Sequence, residues 1–158
     1  MSIHIVLFQP EIPPNTGNIA RTCVATNTSL HLIHPLGFNI DEKTARRAGM
    51  DYWEHAVVYN YNSFEELFSE HAEGLFYFIE TGGNKVHTDV DYSDVDANIF
   101  FVFGNESSGL PKDLLANNAD KILTIPMTSK VRSLNLSNAA AILIYEALRQ
   151  RNYAAIRF

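Results

Sequence analysis

Three polar stretches of the sequence carry side chains that could bind a charged ligand and take part in chemistry. They are QPEIPPNTGNIART (9–22) with Asn15 and Arg21, FVFGNESSGLP (101–111) with Glu106, and IPMTSKVRSLNLSN (125–138) with Ser133 and Asn135. Each stretch follows or overlaps the end of an apolar run that is typical of a β-strand. Ligands of open α/β sheets bind beyond the carboxyl ends of the strands, so these loops are where a functional site is expected.

The first stretch has the residue types of a helix start. Pro13 and Pro14 are expected to hold the chain extended, and Asn15 or Thr16 to cap a helix over 17–26. Gly17 would let a partner approach the backbone, and an outward-facing helix N-terminus suits an anion such as an RNA phosphate. A capped helix start with Arg21 as an ordinary surface residue explains the same pattern, and both interpretations stay open.

The second stretch resembles two familiar loops without matching either of them. Leu110 and Pro111 stand where a P-loop needs Lys and Ser or Thr, so this stretch is not an NTPase loop. Asn105 stands where a nucleophile elbow around Ser107 needs glycine. A buried, charged Glu106 would be costly without a partner, so we expect it to accept hydrogen bonds from the backbone or an arginine. A simple helix-capping role would also explain it.

The third stretch opens the last helix with five polar residues, namely Arg132, Ser133, Asn135, Ser137 and Asn138. Ser133, Asn135 or Ser137 could satisfy the free N–H groups of the helix start. Capping explains one of these side chains and leaves the others available for a ligand.

Other kinds of site are not supported by the sequence. No G-x-G-x-x-G follows the first strand, which argues against a dinucleotide enzyme. The six His have no metal-ligand spacing, so no metal is predicted. Cys23 is the only cysteine, which excludes a disulfide within the chain, and its apolar helical surroundings predict burial.

The elements that must position these loops alternate between strands and helices. Apolar runs predict strands at 3–8, 29–33, 56–59, 75–79, 98–103 and 121–125, and helical patterns cover 17–26, 41–48, 63–71, 112–117 and 134–151. The helix at 63–71 opens with an S-x-x-E capping box, and 81–97 is predicted to be a loop. The alternation predicts an α/β fold with a mostly parallel sheet and helices on both faces, in one domain covering 1–158.

The composition is that of a folded protein, with 46% hydrophobic and 19% charged residues. The net charge of −6 argues at first against nucleic acid, but nine of the 18 acidic residues fall within 65–96. The rest of the chain holds 11 basic and nine acidic residues, so local basic patches can exist beside a solvated acidic face. No run is long enough to span a bilayer and the start lacks a signal peptide, so a cytoplasmic protein is expected.

The order NTGNIART, FGNESSGLP and IPMTSKVRSLNLSNAAAILIYE resembles the three motifs of the SPOUT class of RNA methyltransferases. LHLIHPLGF (30–38) and ARRAGMDYW (45–53) are similar to the YibK/TrmL type, which methylates the ribose 2'-hydroxyl of the tRNA wobble nucleotide. The resemblance covers essentially the whole chain. It implies a C-terminal deep trefoil knot that binds S-adenosylmethionine, no metal, and a homodimer packed through the first and last helices. No appended RNA-binding domain is expected.

The resemblance also assigns roles to residues. It implies a catalytic group at Asn15, Arg21, Glu106, Ser133 and Asn135, and cofactor contacts at Ile79, Glu80, Thr81, Gly104, Glu106, Ile125, Met127, Ser133 and Leu134. The anticodon stem-loop of tRNA is expected to meet Arg21, Lys43, Arg46, Arg47, Lys130 and Arg132, with Arg149 and Arg151 as further candidates. Asn105, where relatives often have proline, and ETGGNKVH (80–87) depart from the family pattern.

Alternatives remain at two points. Arg21 could engage the ribose hydroxyl, or it could clamp a phosphate, since a guanidinium has no acceptor lone pair. The target could be the wobble ribose, another tRNA position or ribosomal RNA, because loops rather than folds set the substrate. A third hypothesis is an RNA-binding factor that has lost catalysis. Such a protein would need only the basic residues, so the presence of Asn15, Arg21, Glu106, Ser133 and Asn135 speaks against it.

Overall fold

The computed structural model describes residues 2–41 and 52–157. The predicted helix at 41–48 therefore lies, apart from its first residue, outside the described residues, as do the RNA-contact candidates Lys43, Arg46 and Arg47.

Parallel strands form the centre of the molecule. They are β1 (Ile3–Phe8), β2 (Ser29–Ile33), β3 (Val58–Tyr61), β4 (Leu75–Ile79), β5 (Lys85–Val86), β6 (Ile99–Phe103) and β7 (Ile122–Thr124). Within the described residues they make one sheet in the order β3-β2-β1-β6-β4-β7-β5, and every pair is parallel. Since all strands run in one direction, the loops that follow them meet at a single edge of the sheet.

Four α-helices are described, and they pack on opposite faces of this sheet. They are α1 (Pro13–Thr26), α2 (Phe64–Glu70), α3 (Lys112–Asn117) and α4 (Leu136–Gln150), with short 3-10 turns at Trp53–His55, His87–Asp89 and Ala119–Lys121. None of the helices in the described ranges has both the length and the apolar character needed to cross a membrane.

The two faces of the sheet carry separate cores because side chains alternate along each strand. On one face Ile5 of β1 and Phe101 of β6 pack with Ile19 of α1 and Leu143 of α4. On the other face, buried residues of the strands pack with α2 and with the segment leading into α3, among them Val6, Phe64, Leu67, Phe100, Val102 and Leu110. The predicted mostly parallel sheet with helices on both faces is confirmed. The trefoil knot and the single-domain organisation stay predictions.

The start of α1 differs from the sequence prediction. The helix begins at Pro13, four residues before the predicted 17–26, and Ile12 is its N-cap, without a side-chain hydrogen bond. Pro13 and Pro14 occupy the first helical turn, where a missing N–H costs nothing and the fixed φ suits a helix. The expectation that they hold the chain extended and that Asn15 or Thr16 caps the helix is therefore wrong.

Other boundaries moved less. β3 lies at Val58–Tyr61 rather than 56–59, because its register against β2 aligns Tyr61 with Ile33. The predicted loop at 81–97 contains β5 and a 3-10 turn. A strand of two residues, Lys85 and Val86, is too short to show a hydrophobic pattern in the sequence. Half of the predicted capping box is present, because Ser63 Oγ accepts a hydrogen bond from the Glu66 N–H at 3.2 Å. The Glu66 carboxylate accepts the N–H of Asn62 at 2.6 Å rather than that of Ser63.

A chain of hydrogen-bonded polar side chains crosses the second face of the sheet. Ser2 Oγ contacts His4 Nε2 at 2.9 Å, His4 Nδ1 contacts His31 Nε2 at 2.9 Å, and His31 Nδ1 contacts Tyr61 Oη at 3.1 Å. Tyr61 Oη then contacts His71 Nε2 at 3.2 Å. Burial lowers the pKa of His4 to about 4 and that of His31 to about 3, because the apolar surroundings disfavour the charged ring.

Candidate active site

A cleft of about 510 Å³ opens at the carboxyl edge of the sheet, between the loops that follow β4, β6 and β7. The N-terminal part of α1 closes it on one side through Ile12 and Asn15. All the predicted cofactor residues line this cleft: Ile79, Glu80, Thr81, Gly104, Glu106, Ile125, Met127, Ser133 and Leu134. Asn15, Arg132 and Asn135 line it as well. The structure thus brings residues from four segments to one place, while their roles stay predictions.

The loop after β6 is a tight turn whose shape depends on two glycines. Gly109 has φ +70 and its N–H donates to the Asn105 carbonyl at 3.1 Å. The backbone at Gly104 passes so close that a Cβ there would lie 2.1 Å from the Gly109 carbonyl carbon. Asn105 Oδ1 accepts hydrogen bonds from the Ser108 N–H at 2.8 Å and from Ser108 Oγ at 2.7 Å. These contacts hold Glu106 at the tip of the turn.

The Glu106 carboxylate ties this turn to the start of α1. Oε2 accepts the Glu11 N–H at 2.9 Å, and Oε1 accepts the Ile12 N–H at 3.2 Å and Asn15 Nδ2 at 3.3 Å. Ser107 adds a second bond between the same loops, because its Oγ donates to the Glu11 carboxylate at 2.6 Å. The expectation that Glu106 accepts backbone hydrogen bonds is confirmed. With three donors engaged, its visible role is to hold two walls of the cleft together.

Asn135 extends this connection to the third loop. Its Nδ2 donates to Asn15 Oδ1 at 3.0 Å, so Glu106, Asn15 and Asn135 form one hydrogen-bonded chain. Asn135 Oδ1 caps α4 by accepting the Ser137 N–H at 2.9 Å and the Asn138 N–H at 3.3 Å. Asn135 is therefore the cap among the three candidates of the sequence. Arg132 and Ser133 line the cleft, as Asn135 itself does.

Arg21 is exposed and does not line the cleft of its own chain. It lies six residues beyond Asn15, about 9 Å further along the helix axis. Its guanidinium carbon is 5.7 Å from the ring centre of Tyr52, whose hydroxyl donates to the Gly17 carbonyl at 2.7 Å. Tyr52 thus braces the face of α1 that carries Arg21, through a hydrogen bond and a cation–π contact.

Several residues of the cleft were missed by the sequence reasoning. They include Ile12, Phe103, Ser107, Thr124, Leu136 and Ala139. Their only signal is their position in the sequence, since each lies within four residues of a predicted site residue. Lys130 is exposed but does not line the cleft.

Two further RNA-contact candidates have other partners. Arg151 is 7% exposed and donates to the carbonyl oxygens of Tyr92, Asp94 and Ala97, so it clamps a loop and its assignment to RNA is wrong. Arg149 pairs with Glu146 at 2.9 Å.

Three further features concern possible metal ligands, the cysteine and the acidic residues. Within residues 2–41 and 52–157, no three His, Cys, Asp or Glu are grouped so that they could hold a metal ion. Cys23 is buried as predicted, and burial raises the pKa of its thiol to about 12, which keeps it protonated. All nine acidic residues of 65–96 except Glu80 are exposed, as a solvated acidic face requires.

The fold is a parallel α/β sheet with a cleft built from the loops that follow β4, β6 and β7. Sequence similarity identifies the family within this class of fold, because the SpoU rRNA methylase family matches residues 2–145. The chain belongs to that family, and the resemblance to SPOUT-class methyltransferases is confirmed.

Relatives of known name and structure extend over the whole chain. A Bacillus subtilis (strain 168) protein named "Putative tRNA (cytidine(34)-2'-O)-methyltransferase" is 60% identical over 99% of this chain and 98% of its own. A solved structure described as "Structural insights into the 2-OH methylation of C/U34 on tRNA" is 38% identical, with a TM-score of 0.86 over 96% and 97% of the two chains. An S-adenosylmethionine-bound rRNA methyltransferase of Sinorhizobium meliloti is 25% identical with a TM-score of 0.78, over 94% of this chain and 56% of its own.

Proposed function

We propose that the protein transfers a methyl group from S-adenosylmethionine to the ribose 2'-hydroxyl of the wobble nucleotide of tRNA, a cytidine or modified uridine at position 34. The observation that carries the proposal is the chain of hydrogen bonds from Glu106 through Asn15 to Asn135, which joins three loops around one cleft. The relatives described above support the reaction and the substrate. The tRNA anticodon stem-loop would be the partner and the cytoplasm the place of action.

The residues of the cleft fit the cofactor. Its volume of about 510 Å³ lies within the range of small-molecule sites. Apolar side chains such as Ile79, Ile125 and Leu134 can enclose an adenine ring, while backbone groups of Gly104 and Ile125 can meet its polar edges. When bound, S-adenosylmethionine supplies a methyl group activated by its sulfonium sulfur. No metal is needed for that chemistry.

Arg21 most simply binds the RNA backbone near the reacting ribose. A guanidinium carries five N–H donors and no acceptor lone pair, so it cannot take the proton of the 2'-hydroxyl. It can clamp a phosphate with two parallel hydrogen bonds and so orient the ribose. The hydroxyl proton would then leave to a phosphate oxygen or to water, while Asn15, Ser133 and Asn135 fix the geometry of attack.

A homodimer completes the proposal. α1 and α4 pack beside each other, and α4 exposes 37% of Ile142 and 46% of Tyr145. Covering these side chains with the same helices of a second copy removes apolar surface from water. It would also enlarge the surface that meets the tRNA. Arg132 lines the cleft, and Lys130 is an exposed residue two positions before it; both could bind phosphates of the RNA.

The experiment that tests the function is transfer of labelled methyl from S-adenosylmethionine to tRNA lacking this modification. Label at the wobble ribose, mapped by the resistance of a 2'-O-methylated linkage to alkali, is the expected result. Label elsewhere in tRNA, or only in ribosomal RNA, would move the target, and the description of the family keeps rRNA as the second candidate. No transfer to either RNA by protein that binds the cofactor would contradict the proposal.

A matched pair of variants assigns the role of Arg21. Arg21→Ala should abolish transfer while leaving the affinity for S-adenosylmethionine nearly unchanged, because Arg21 does not line the cleft. Arg157→Ala, an exposed arginine near the C-terminus, is the control and should keep wild-type turnover. Wild-type turnover by the Arg21 variant would remove it from the mechanism.

A further inference from the structure

A second concavity lies at the same edge of the sheet, beyond β2 and β3. We call it the His34 groove. It has a volume of about 570 Å³, and its walls include His34, Leu36, Phe38, Asn39, Asn60 and Asn62. The His34 N–H donates to the Tyr61 carbonyl at 2.9 Å, which fixes the groove to the ends of both strands. None of the residues described as lining it carries a formal charge.

The side chains of this groove offer an aromatic face beside exposed amide groups. Phe38 is half-buried, yet it belongs to neither core cluster and makes no ring contact in the described parts of the chain. The amide side chains of Asn39 and Asn62 are exposed and have no hydrogen-bond partner among residues 2–41 and 52–157. An aromatic face with free amides is what single-stranded RNA recognition uses to stack and read an unpaired base.

The imidazole ring of His34 adds two nitrogens with different hydrogen-bonding roles. Its Nε2 lies 2.8 Å from Asn60 Oδ1, and an amide oxygen can only accept a hydrogen bond. Nε2 therefore carries the hydrogen of this contact, which leaves Nδ1 as the ring nitrogen that can face a ligand. The groove thus presents both donors and an acceptor, which are the groups that read the edge of an unpaired base.

One loop separates the groove from the methyl-transfer cleft. The Gly37 N–H donates to the Pro10 carbonyl at 3.0 Å, and a Cβ on Gly37 would lie 3.0 Å from Glu11 Cα. The Glu11 N–H in turn donates to the Glu106 carboxylate at 2.9 Å. Since β1 alone stands between β2 and β6, the ends of those two strands are about 10 Å apart.

We propose that the His34 groove binds the unpaired base of a nucleotide flanking the one that is methylated, by stacking on Phe38 and hydrogen bonding to Asn39, Asn62 and His34. This inference rests on the proposed function. It gives the protein a means of reading a base other than its target. An RNA that places its ribose in the cleft has its adjacent nucleotide within reach of the groove.

The first test separates stacking from mere apolar volume. Phe38→Leu should weaken binding of an anticodon stem-loop RNA by about 5- to 100-fold, whereas Phe38→Tyr, which keeps the ring, should bind as wild type. Asn117→Ala, an exposed asparagine of α3, is the control and should leave RNA affinity unchanged. S-adenosylmethionine affinity should be unaffected in all three variants, which shows that the cleft is intact. Equal RNA affinity of the Leu variant and wild type would overturn the proposal.

The second test uses the wild-type protein, so it does not depend on how a variant folds. A stem-loop with 5-bromouridine immediately before or after the wobble nucleotide is irradiated with the protein, and the crosslinked peptide is identified. Attachment within residues 34–40 or 60–62 from one of the two positions is the expected result. If the wild-type protein methylates the wobble ribose but crosslinks only to residues outside these two segments, the groove proposal is wrong and the proposed function stands. If the protein neither binds nor methylates the RNA, both the proposed function and the groove proposal are wrong.

Discussion

The side-chain amide of Asn135 serves two purposes with two different atoms. Its Oδ1 caps α4, and its Nδ2 donates to Asn15 across a sequence separation of 120 residues. The first purpose concerns the stability of a helix and the second concerns the shape of the cleft. Because the two atoms differ chemically, a substitution can remove one purpose and keep the other.

Asn135→Asp is expected to keep the cap and break the connection to Asn15. Aspartate caps helices about as well as asparagine, so the free energy of unfolding should change by less than about 0.5 kcal/mol. A carboxylate oxygen facing Asn15 Oδ1 cannot donate, so the loops shift and turnover should fall about 10-fold or more. Asn135→Ala, the comparison variant, should lose both turnover and about 1 kcal/mol of stability. Urea unfolding and methyl transfer measure the two effects, and full turnover by the Asp variant would contradict this account.

At the scale of elements, the loop after β6 shapes the cleft by backbone contact. Gly104→Ala would place a Cβ 2.1 Å from the Gly109 carbonyl carbon, so the turn must open. We expect the affinity for S-adenosylmethionine, measured by calorimetry, to fall about 10-fold or more. Gly82→Ala is the control, because no atom lies within 4 Å of its added Cβ; its φ of +79, unlike the backbone of Gly104, is itself unfavourable for alanine, so any effect of backbone strain alone appears in this variant. A Gly104 variant with unchanged affinity would show that the turn is not part of the cofactor site.

Helices and strands also show how much of the structure the sequence predicts. The strands at 3–8, 29–33 and 75–79 and the helix at 112–117 were predicted with their observed bounds, because turn residues flank clear apolar patterns. The order of the strands was not predictable, since the position of β6 between β1 and β4 depends on packing between distant segments. Asn15, Glu106 and Asn135 were predicted as site residues, but their mutual hydrogen bonds were not. The His34 groove was missed: His34 and Phe38 lie in the LHLIHPLGF stretch that resembles the YibK/TrmL type, but the residue types of that stretch do not by themselves indicate a ligand site.

The whole molecule carries a pH-dependent element in the buried pair His4 and His31. Their folded-state pKa values, about 4 and about 3, lie below the ordinary value of 6.5, so the unfolded chain binds more protons between those limits. Stability is therefore complete above about pH 6.5 and falls as the pH drops towards 4. Between pH 7 and pH 5 we expect a loss of at least about 2 kcal/mol in the free energy of unfolding, measured with urea.

Variants identify the source of this loss. His31→Gln keeps a polar side chain that does not titrate, so its loss between the two pH values should be smaller. His55→Gln, which replaces an exposed histidine, should behave as wild type. A stability that is the same at pH 5 and pH 7 would contradict the assignment.

Assembly is the second property of the whole molecule. Ile142→Asp combined with Tyr145→Asp should convert the expected dimer into a species of 17.8 kDa, because charges on the α4 surface oppose its burial. Val95→Asp, at a side chain that is 50% exposed, is the control and should stay dimeric. Analytical ultracentrifugation measures the mass, and a wild-type protein that sediments as a monomer would refute the dimer.

The hydrogen-bonded residues that join the walls of the cleft lie far apart in the sequence, and this distance affects folding during synthesis. The connections of Glu11 to Glu106 and of Asn15 to Asn135 span 95 and 120 residues. At a synthesis rate of about 5–20 residues per second, the start of the chain waits about 5–20 s on the ribosome for Glu106 to follow it. During that time β1 lacks β6 and exposes an unpaired edge that invites aggregation. The nascent chain is therefore expected to need a chaperone, and a product truncated before residue 125 lacks the third loop that lines the cleft.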